Sequence, residues 1–260
     1  MKRCEKCFGE YDESIAAGVC PFCGYIQGEQ QDDPRYLPIG SILHDRYIIG
    51  GVVGAGGFGI TYKAWDNKYN ICKAIKEYFQ QGVVNRIPGD TDVFVAAPKR
   101  QAEFEYGKER LIEEARIVAK FQSPSIVRVD DFFEENGTSY MVMEFLDYET
   151  LEDFLIHQKR PLTEDEAVNI GVRLCEALDE IHHAGVIHRD ISPDNIFVGK
   201  DGSVKIIDFG SARLSKEDTD SRLIVLKPGY APPEQYEKID PENDLQQAWT
   251  DIYALGATLY

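Results

Sequence analysis

The spacing of apolar residues changes along the chain, and the change separates strand-like segments from helical ones. Over residues 46–79, the segments RYIIGGVVGAGGFGITYKAWD and ICKAIKEYF are rich in β-branched and aromatic residues and surround a glycine cluster. Runs of this kind, bounded by turn-forming residues, predict three successive strands. We therefore expect the main domain to open with an antiparallel sheet.

Two later segments have the spacing of amphipathic helices. In EYGKERLIEEARIVAKF, the apolar residues Leu111, Ala115 and Val118 recur three or four positions apart. The segment TEDEAVNIGVRLCEALDEIHHAG has similar spacing and starts at Thr163, a residue type that caps helix N-termini. Strands thus come first in the main domain and helices come later.

A long stretch between the third strand and the first helix has neither spacing. It follows Glu77, contains NRIPGD, and is longer than the connections that are usual in compact domains. We interpret this stretch as a functional or mobile insert.

The start of the chain differs in composition from the rest. Residues 28–39 are polar, contain prolines and lack apolar periodicity, which is typical of a linker. The predicted organisation is therefore a small module over residues 1–27, a linker over 28–39 and a main domain over 40–260.

Four cysteines of the small module have the spacing of a metal site. Cys4 and Cys7 form one C-x-x-C pair and Cys20 and Cys23 form another, so four thiolates can close around one ion. This pattern predicts a zinc ribbon, and a single iron ion is the alternative that four thiolates also suit. Because four sulfurs fill a tetrahedral shell, the ion would fold the module and leave no open position for a substrate.

Composition narrows the class of protein and its compartment. The formal net charge of -17 argues against nucleic-acid binding, which requires a surplus of Lys and Arg. No apolar run is long enough for a membrane span, and none follows the basic N-terminus as in a secretory signal. We therefore expect a cytoplasmic protein with reduced thiols, in which Cys72 and Cys175 are buried core residues.

Three glycines of the main domain, Gly54, Gly56 and Gly59, form a G-x-G-x-x-G sequence. Glycine in this pattern lets backbone amides approach phosphate oxygens without a Cβ atom in the way. A dinucleotide-binding fold uses the same sequence, but there the glycines open a helix, whereas here the strand-forming residues ITY follow. The strand context favours a flap that covers phosphates.

Further residues with the chemistry of phosphate transfer follow the glycines. Lys76 lies at the end of the next strand in KAIKE, and Glu114 lies on the first helix, where it can pair with that lysine. Downstream come HRD, which ends in Asp190, then Asn195, and then DFG, which begins with Asp208. Each of these residues alone is weak evidence for phosphate transfer, and their combination is much stronger evidence.

Together, the motifs resemble those of the eukaryotic-type protein kinases found in bacteria, from about residue 40 to the last residue. The glycine loop, KAIK, EAR, HRDISPDN, DFG, PPE and DIYALG occur in the order of that family. The resemblance implies an α+β fold with two lobes, an antiparallel β-rich N-lobe and a mainly helical C-lobe, preceded here by the zinc ribbon. It also implies transfer of the γ-phosphoryl group of ATP to serine or threonine hydroxyls of protein substrates.

The resemblance assigns a role to each residue of the catalytic set. It implies that Lys76, paired with Glu114, holds the α- and β-phosphates of ATP. Asp190 would orient the attacking hydroxyl and accept its proton, while Asn195 and Asp208 would hold Mg²⁺.

The family's nucleotide site is carried over in the same way. Met143 stands at the gatekeeper position beside the adenine, and residues 144–146 (EFL) form the hinge whose backbone binds the base. We choose Glu114 over its neighbour Glu113 as the partner of the lysine because EAR is the family's usual setting. The expected ATP-binding residues are Val53, Gly54, Gly56, Gly59, Thr61, Ala74, Lys76, Met143, Glu144 and Leu146.

The pattern departs from the family beside the catalytic aspartate. Serine/threonine kinases usually have a lysine two residues after it, whereas this chain has Ser192. Glu234 is the glutamate of the PPE motif. In the family, a threonine usually stands a few residues before this glutamate, and the corresponding residue here is Lys227. We hypothesise that Lys227 sends its ammonium group to the site beside Asp190, with Ser192 supplying the hydroxyl. The exchange leaves tyrosine open as the alternative acceptor.

Two features bear on regulation. Arg189 precedes the catalytic aspartate, which in the family accompanies control by a phosphorylated activation loop. The candidate phosphorylation sites are Ser211, Ser215, Thr219 and Ser221. We also expect the zinc ribbon to contact a regulator, a substrate or the kinase domain itself.

The end of the chain is a second departure. The sequence stops at Tyr260, within a helix that begins near Asp251, whereas kinases of this family continue through further helices. We therefore expect an incomplete C-lobe, exposed apolar surface, and a Glu234 without its usual arginine partner. The alternative to an active kinase is a catalytically weak or inactive binding or scaffold module.

Overall fold

The computed structural model describes residues 1–12, 18–29, 31–214, 227–236 and 245–260. These residues form two compact units. The first contains Met1–Arg116 and Val129–Leu146, and the second contains Ile117–Arg128 and Asp147–Tyr260. Among the described residues, no helix has the length and apolar character needed to cross a bilayer.

The first unit is built on strands. Their bounds are β1 Lys2–Arg3, β2 Glu10–Tyr11, β3 Ile42–Leu43, β4 Tyr47–Ala55, β5 Gly59–Asp66, β6 Ile71–Tyr78, β7 Val84–Arg86, β8 Val93–Val95, β9 Val129–Glu135 and β10 Thr138–Glu144. Six of them form one antiparallel sheet in the order β3-β4-β5-β6-β10-β9. In β5, buried residues alternate with half-buried ones, as a strand with one face on the core requires. The three predicted strands are confirmed as β4, β5 and β6.

Helix α1, Gln101–Val118, begins a few residues before the predicted segment. Leu111, Ala115 and Val118 are buried, so the apolar spacing of the sequence marks the face of the helix that packs inward. Phe104, in the added first turn, stacks on Tyr78 of β6 with ring centroids 5.4 Å apart. That aromatic contact extends the helix beyond the segment that periodicity alone predicts.

The insert between β6 and α1 is folded. Its strands β7 and β8 form an antiparallel hairpin, in which Val84 pairs with Val95 and Arg86 pairs with Val93. Residues 84–95 of the stretch interpreted as a functional or mobile insert therefore form a small two-stranded element. The sequence pattern missed it because each strand is only three residues long.

A buried charge cluster joins this insert to the sheet. Glu77, which is fully buried, accepts hydrogen bonds of 2.9 Å from the hydroxyls of Tyr62 and Tyr140 and forms an ion pair with Arg86. Burial raises the pKa of Glu77, and Arg86 and the two hydroxyls oppose that shift. The N–H of Leu37, in the predicted linker, donates to the Tyr62 hydroxyl at 3.1 Å. The domain boundaries stay a prediction, but this part of the linker is packed against the sheet.

The second unit is mainly helical. Its helices are α2 Leu151–Gln158, α3 Glu164–His183 and α4 Ala248–Leu259. Its short strands are β11 Glu149–Thr150, β12 Val186–Ile187, β13 Ile196–Val198, β14 Val204–Ile206 and β15 Arg213–Leu214. The predicted cap of α3 is confirmed: the Thr163 hydroxyl accepts from the N–H of Glu166 at 3.3 Å, and the Glu166 carboxylate accepts from the N–H of Thr163 at 2.8 Å.

Two cysteines outside the small module differ from the expectation of a buried core. Cys175 lies on the exposed face of α3, and Cys72 on β6 is only half-buried. The prediction for Cys175 is wrong because its neighbour Leu174 takes the inward position. The inward face of α3 also carries Ile170 and Leu178, and Cys175 lies outside that face.

Helix α4 exposes part of its apolar surface, as expected. Trp249, Ile252 and Tyr253 have exposed fractions of 59%, 50% and 53%. The carboxylate of Glu234, which was expected to lack its usual arginine partner, accepts a hydrogen bond of 2.9 Å from the hydroxyl of Thr250.

Candidate active site and metal centre

The glycine-rich loop joins β4 to β5 in the first unit. Gly54 lies opposite Thr61 in the hairpin, and Gly56 closes the turn by donating its N–H to the carbonyl of Gly59 at 2.9 Å. A Cβ on Gly59 would lie 2.8 Å from the carbonyl oxygen of Glu77, closer than such atoms approach. Glycine at this position therefore allows β5 to lie against β6.

Lys76 on β6 and Glu114 on α1 form an ion pair. The Lys76 Nζ lies 3.1 Å from Oε1 and 3.5 Å from Oε2 of the carboxylate. Glu114 is 7% exposed, whereas the neighbouring Glu113 points to the surface and pairs with Arg110 at 3.2 Å. The geometry thus agrees with Glu114 as the partner of the lysine.

The residues predicted to contact the nucleotide lie along the same sheet. Thr61 is the cross-strand partner of Lys76, and Ala74 is the partner of Met143. Because side chains alternate between the two faces of a strand, Thr61, Ala74 and Lys76 share one face. The remaining members are Val53 on β4, Glu144 at the end of β10 and Leu146 just beyond it.

In the second unit, Asp190 is held by Asn195. The Asn195 Nδ2 donates to the backbone carbonyl of Asp190 at 2.9 Å and to its carboxylate Oδ2 at 2.8 Å. Burial raises the pKa of Asp190, and the positive charge of Lys227 and the hydrogen bond from Asn195 oppose the shift. A carboxylate with a raised pKa is a better proton acceptor than an ordinary one.

Lys227 lies beside this loop. Its Nζ donates to the Ser192 Oγ at 3.2 Å and forms an ion pair with Asp194, whose Oδ1 also accepts from the Ser192 hydroxyl at 2.8 Å. Burial would raise the pKa of Asp194, but the hydrogen bonds from Lys227 and Ser192 outweigh it and hold the pKa below its usual value. The structure therefore brings together the two residues that the sequence pattern shows as exchanged.

Asp251, which is fully buried in the first turn of α4, organises the backbone of the catalytic loop. Its carboxylate accepts from the N–H of His188 at 2.9 Å and from the N–H of Arg189 at 2.7 Å, and it lies 2.8 Å from the His182 Nε2. Arg189 has a φ of 66°, in the left-handed region that is costly for a residue other than glycine. Sequence reasoning placed Asp251 in the DIYALG motif but missed this role, which depends on contacts far apart in the chain.

The DFG segment is also fixed by packing. Asp208 has a φ of 59°, and its Oδ1 accepts from the N–H of Gly210 at 3.1 Å. The buried ring of Phe209 lies 4.6 Å from the His188 ring and 5.8 Å from the Phe121 ring, measured between centroids. These contacts hold the backbone that carries the Asp208 carboxylate.

One of the predicted phosphorylation sites can be placed. The carbonyl of Ser211 accepts a hydrogen bond of 2.6 Å from the Arg189 Nε, so the guanidinium that is expected to bind a phosphate is here directed at the backbone. The other three sites, Ser215, Thr219 and Ser221, lie outside the described residues.

The four cysteines of the small module converge on one point. Their sulfur atoms all lie within 4.8 Å of one another, and the Cys4–Cys23 and Cys7–Cys20 sulfur distances are both 3.7 Å. A tetrahedral ion with Zn–S bonds of about 2.3 Å requires sulfur separations of about 3.8 Å. The N–H of Cys7 also donates to the Cys4 Sγ at 3.5 Å, a contact that would orient this sulfur and offset its charge as a thiolate. The residues therefore fit a zinc ion.

The small module packs against β4. The N–H of Gly51 donates to the carbonyl of Lys6 at 2.8 Å. A Cβ on Gly50 would lie 2.5 Å from that same oxygen and 2.7 Å from the ring of Phe8. Phe8 in turn contacts Trp65 of β5, with ring centroids 5.9 Å apart. The close approach of the module to the strand thus requires glycine at position 50.

The same motifs match one family over most of the chain. Residues 47–260 match the family described as protein kinase domain. The chain belongs to the protein kinase family. Members of that family bind ATP and Mg²⁺, and the carboxylate of Asp208 and the amide oxygen of Asn195 are the hard oxygen ligands that Mg²⁺ prefers. In this kinase, Asn195 directs its amide nitrogen at the carboxylate of Asp190.

The kinase is similar to curated bacterial proteins. It is 32% identical over 227 residues to a probable serine/threonine-protein kinase of Clostridium perfringens, which covers 85% of this chain and 29% of the relative. It is 32% identical over 225 residues to the serine/threonine-protein kinase PknB of Mycobacterium leprae, which covers 84% of this chain and 32% of the relative. The chain thus spans less than a third of the length of these relatives.

A solved structure is similar to the kinase as well. The structure of PpkA-294 in its apo form shares 36% sequence identity with this chain at a TM-score of 0.75. The match covers 86% of this chain and 77% of the solved one. The predicted protein kinase fold is therefore confirmed.

Proposed function

We propose that this kinase transfers the γ-phosphoryl group of ATP to serine or threonine hydroxyls of proteins. The observation that carries the proposal is the catalytic loop, where a half-buried Asp190 is held by Asn195 and experiences the positive charge of Lys227. Relatives that match most of this chain are named serine/threonine-protein kinases, which supports the same acceptor.

The side chains of the kinase would perform the transfer as follows. Lys76, fixed by Glu114, would hold the α- and β-phosphates as a positive point charge. Asp190 would orient the acceptor hydroxyl and take up its proton as the new O–P bond forms and the bond to the ADP oxygen breaks. Asn195 and Asp208 would hold Mg²⁺, which neutralises the charge on the phosphates when it is bound.

We assign the nucleotide to the sheet face that carries Lys76. Thr61 and Ala74 lie on that face beside the lysine, and Met143 is the cross-strand partner of Ala74. Their half-buried side chains support a role as the apolar lining for an adenine ring. The hinge residues that follow Met143 would bind the base through their backbone.

We further propose that Lys227 replaces the lysine that the family has in the catalytic loop. Its hydrogen bond to Ser192 and its ion pair with Asp194 support this role. An ammonium group near the transferring phosphoryl group stabilises the charge that develops there. The cation would thus come from the segment before Glu234 instead of from the loop itself.

For the small module, we propose a structural zinc ion and a regulator as partner. The four thiols fit zinc by geometry, and the apolar side chains of Val19, Phe22 and Ile26 have exposed fractions of 41%, 66% and 48%, which supports a contact surface. Free thiols are kept reduced in the cytoplasm, which is the compartment we propose. The net charge of -17 supports protein substrates over nucleic acid.

Labelling with radioactive ATP tests the main proposal. The chain and its Asp208→Ala variant are incubated with Mg²⁺ and a generic protein substrate, and the labelled amino acid is identified after hydrolysis. We expect label on serine or threonine with the unmodified chain and none with the variant. Equal label in both would contradict the assigned site, label on tyrosine would overturn the acceptor, and nucleotide binding without any label would favour the scaffold alternative.

A further inference from the structure

The segment that follows β6 contacts the glycine-rich loop along its length. The N–H of Phe79 donates to the carbonyl of Phe58 at 3.0 Å, and the N–H of Gln81 donates to the carbonyl of Gly57 at 2.9 Å. The side chain of Gln81 adds a third bond, from its Nε2 to the carbonyl of Gly56 at 3.0 Å. Three successive carbonyl groups of the loop are therefore held by one neighbouring segment.

These contacts determine where the amide groups of the loop point. The structure has no cis peptide bond among the described residues, and in a trans peptide the C=O and N–H of one unit point in opposite directions. With the carbonyls of Gly56, Gly57 and Phe58 directed at the insert, the N–H groups of Gly57, Phe58 and Gly59 are directed away from it. Consecutive N–H groups that point the same way form a site for an anion.

The loop itself is open to approach by a ligand. A Cβ added to Gly54, Gly56 or Gly57 would meet no atom within 4 Å, so glycine is not required there by packing against the protein. The side chain of Phe58, at the tip, has an exposed fraction of 53%.

The segment that holds the loop is itself anchored on α1 and the turn before it. The Tyr78 hydroxyl donates to the Gln80 Oε1 at 3.0 Å, and the Gln80 Nε2 donates to the Glu103 carboxylate at 2.8 Å. The Arg100 guanidinium donates to the carbonyl of Gly82 at 3.2 Å. Gln81 is thus fixed from both sides by its neighbours Gln80 and Gly82.

We propose that Gln81 is a positioning residue for the phosphates of the nucleotide. Its side-chain bond to the carbonyl of Gly56 keeps the N–H of Gly57 turned toward the β- and γ-phosphates, and its backbone bond to the carbonyl of Gly57 does the same for the N–H of Phe58. The insert is therefore part of the nucleotide site of this kinase. The inference rests on the proposed function, because it takes ATP as the ligand.

Calorimetric titration of the whole chain with two ligands tests the proposal. The ligands are a non-hydrolysable ATP analogue with Mg²⁺, and adenosine, which has no phosphate. The variant is Gln81→Met, which keeps the side-chain length and removes the donor. The matched control is Gln101→Met, since Gln101 is also exposed and donates a hydrogen bond of 2.7 Å, to Glu105.

We expect Gln81→Met to weaken binding of the ATP analogue about threefold to tenfold, the range for one hydrogen bond. Adenosine affinity is expected to stay unchanged, and Gln101→Met is expected to match the unmodified chain for both ligands. An equal loss for both ligands would mean that Gln81 only supports the fold, and no loss would mean that it does not position the loop; either result overturns the proposal. If the unmodified chain binds neither ligand, the proposed function fails and this inference fails with it.

Discussion

The pKa of Asp190 is raised and lowered by different parts of the second unit. Burial raises its pKa, whereas the ammonium of Lys227 lowers it. The charge of Lys227 is itself shared with Asp194, which forms an ion pair with it. The ionised fraction of Asp190 therefore depends on a residue 37 positions later, outside the HRD motif.

Replacing Lys227 tests this dependence. We expect Lys227→Met to lower the rate of phosphoryl transfer at neutral pH on the order of 10², the effect of removing one group that stabilises transition-state charge. Without the nearby ammonium, the pKa of Asp190 rises further, so the acidic limb of the pH–rate profile moves to higher pH. The measurement is the rate of phosphoryl transfer between pH 5 and pH 9.

Lys200→Met is the control, because Lys200 is exposed in the same unit. Its rate and profile are expected to match the unmodified chain. A Lys227→Met variant with normal rates, beside an inactive Asp190→Asn variant, would show that the exchange of Ser192 and Lys227 has no catalytic meaning.

At the scale of elements, helix α4 supports the catalytic loop through its first turn. The loop backbone at Arg189 adopts a costly left-handed conformation. The two hydrogen bonds that the Asp251 carboxylate accepts from this backbone stabilise that conformation. Asp251 is thus a positioning residue: it contacts the loop and not the reacting groups.

Neutralising this carboxylate is expected to weaken the loop. Asp251→Asn keeps the shape of the side chain but loses a charge-assisted bond, so we expect the free energy of unfolding to fall by about 1.5–3 kcal/mol. Phosphoryl transfer is expected to fall further than this loss of stability explains. Urea unfolding and the transfer rate are the measurements. Asp179→Asn, at an exposed position of α3, is the control, and an equal effect in both variants would contradict the role.

The buried pair of Glu77 and Arg86 makes the insert hairpin part of the first unit. Arg86→Met is expected to lower the free energy of unfolding by about 3–5 kcal/mol, because it leaves a carboxylate buried without its cation. Adding Glu77→Gln to that variant is expected to restore part of the loss. Urea unfolding of the single and double variants measures both effects.

Arg110→Met provides the comparison, because Arg110 pairs with Glu113 at the surface. An exposed pair contributes about 1 kcal/mol or less. If Arg86→Met were no more destabilising than Arg110→Met, the buried pair would not anchor the insert.

The elements that the sequence predicts correctly are those with a long periodic pattern. Strands β4 to β6 and helix α3 follow from spacing and from the cap at Thr163, because the pattern and the burial coincide. The hairpin of β7 and β8 has strands too short for a pattern, and it is held by the Arg86 ion pair instead. Local sequence does not encode which carboxylate a buried arginine will find.

At the scale of the whole molecule, the small module contacts β4, the strand that leads into the glycine-rich loop. The carbonyl of Lys6 accepts a hydrogen bond from the N–H of Gly51, and the guanidinium of Arg3 lies 3.7 Å from the centroid of the Trp65 ring. The C-x-x-C pairs predict the module, but its packing against β4 could not be predicted from the sequence. That contact uses a backbone carbonyl and two glycines, which carry no chemical signature in the sequence.

Removal of the metal is expected to undo this contact. Elemental analysis should find about one zinc per chain, as a single tetrahedral site requires. Chelation is expected to lower the thermal midpoint and to change the fluorescence of Trp65, because Arg3 and Phe8 leave its ring when the module unfolds.

The signal can be assigned because the chain has 2 tryptophans. A Trp249→Phe background leaves only Trp65, and Cys4→Ser in that background should reproduce the spectrum of the chelated protein without chelator. Unchanged Trp65 emission after complete loss of zinc would show that the module stays on β4 without its metal.

The hydrogen bonds of Asp251 also join residues that are translated at different times. Chains are synthesised from the N-terminus, and their parts fold as they emerge. His188 and Arg189 are translated 63 and 62 residues before Asp251. Until α4 has emerged, their N–H groups have no such acceptor, and the strained backbone at Arg189 is not stabilised. A nascent chain that carries HRD and DFG but not yet α4 therefore lacks the carboxylate that accepts these two N–H groups in the folded protein.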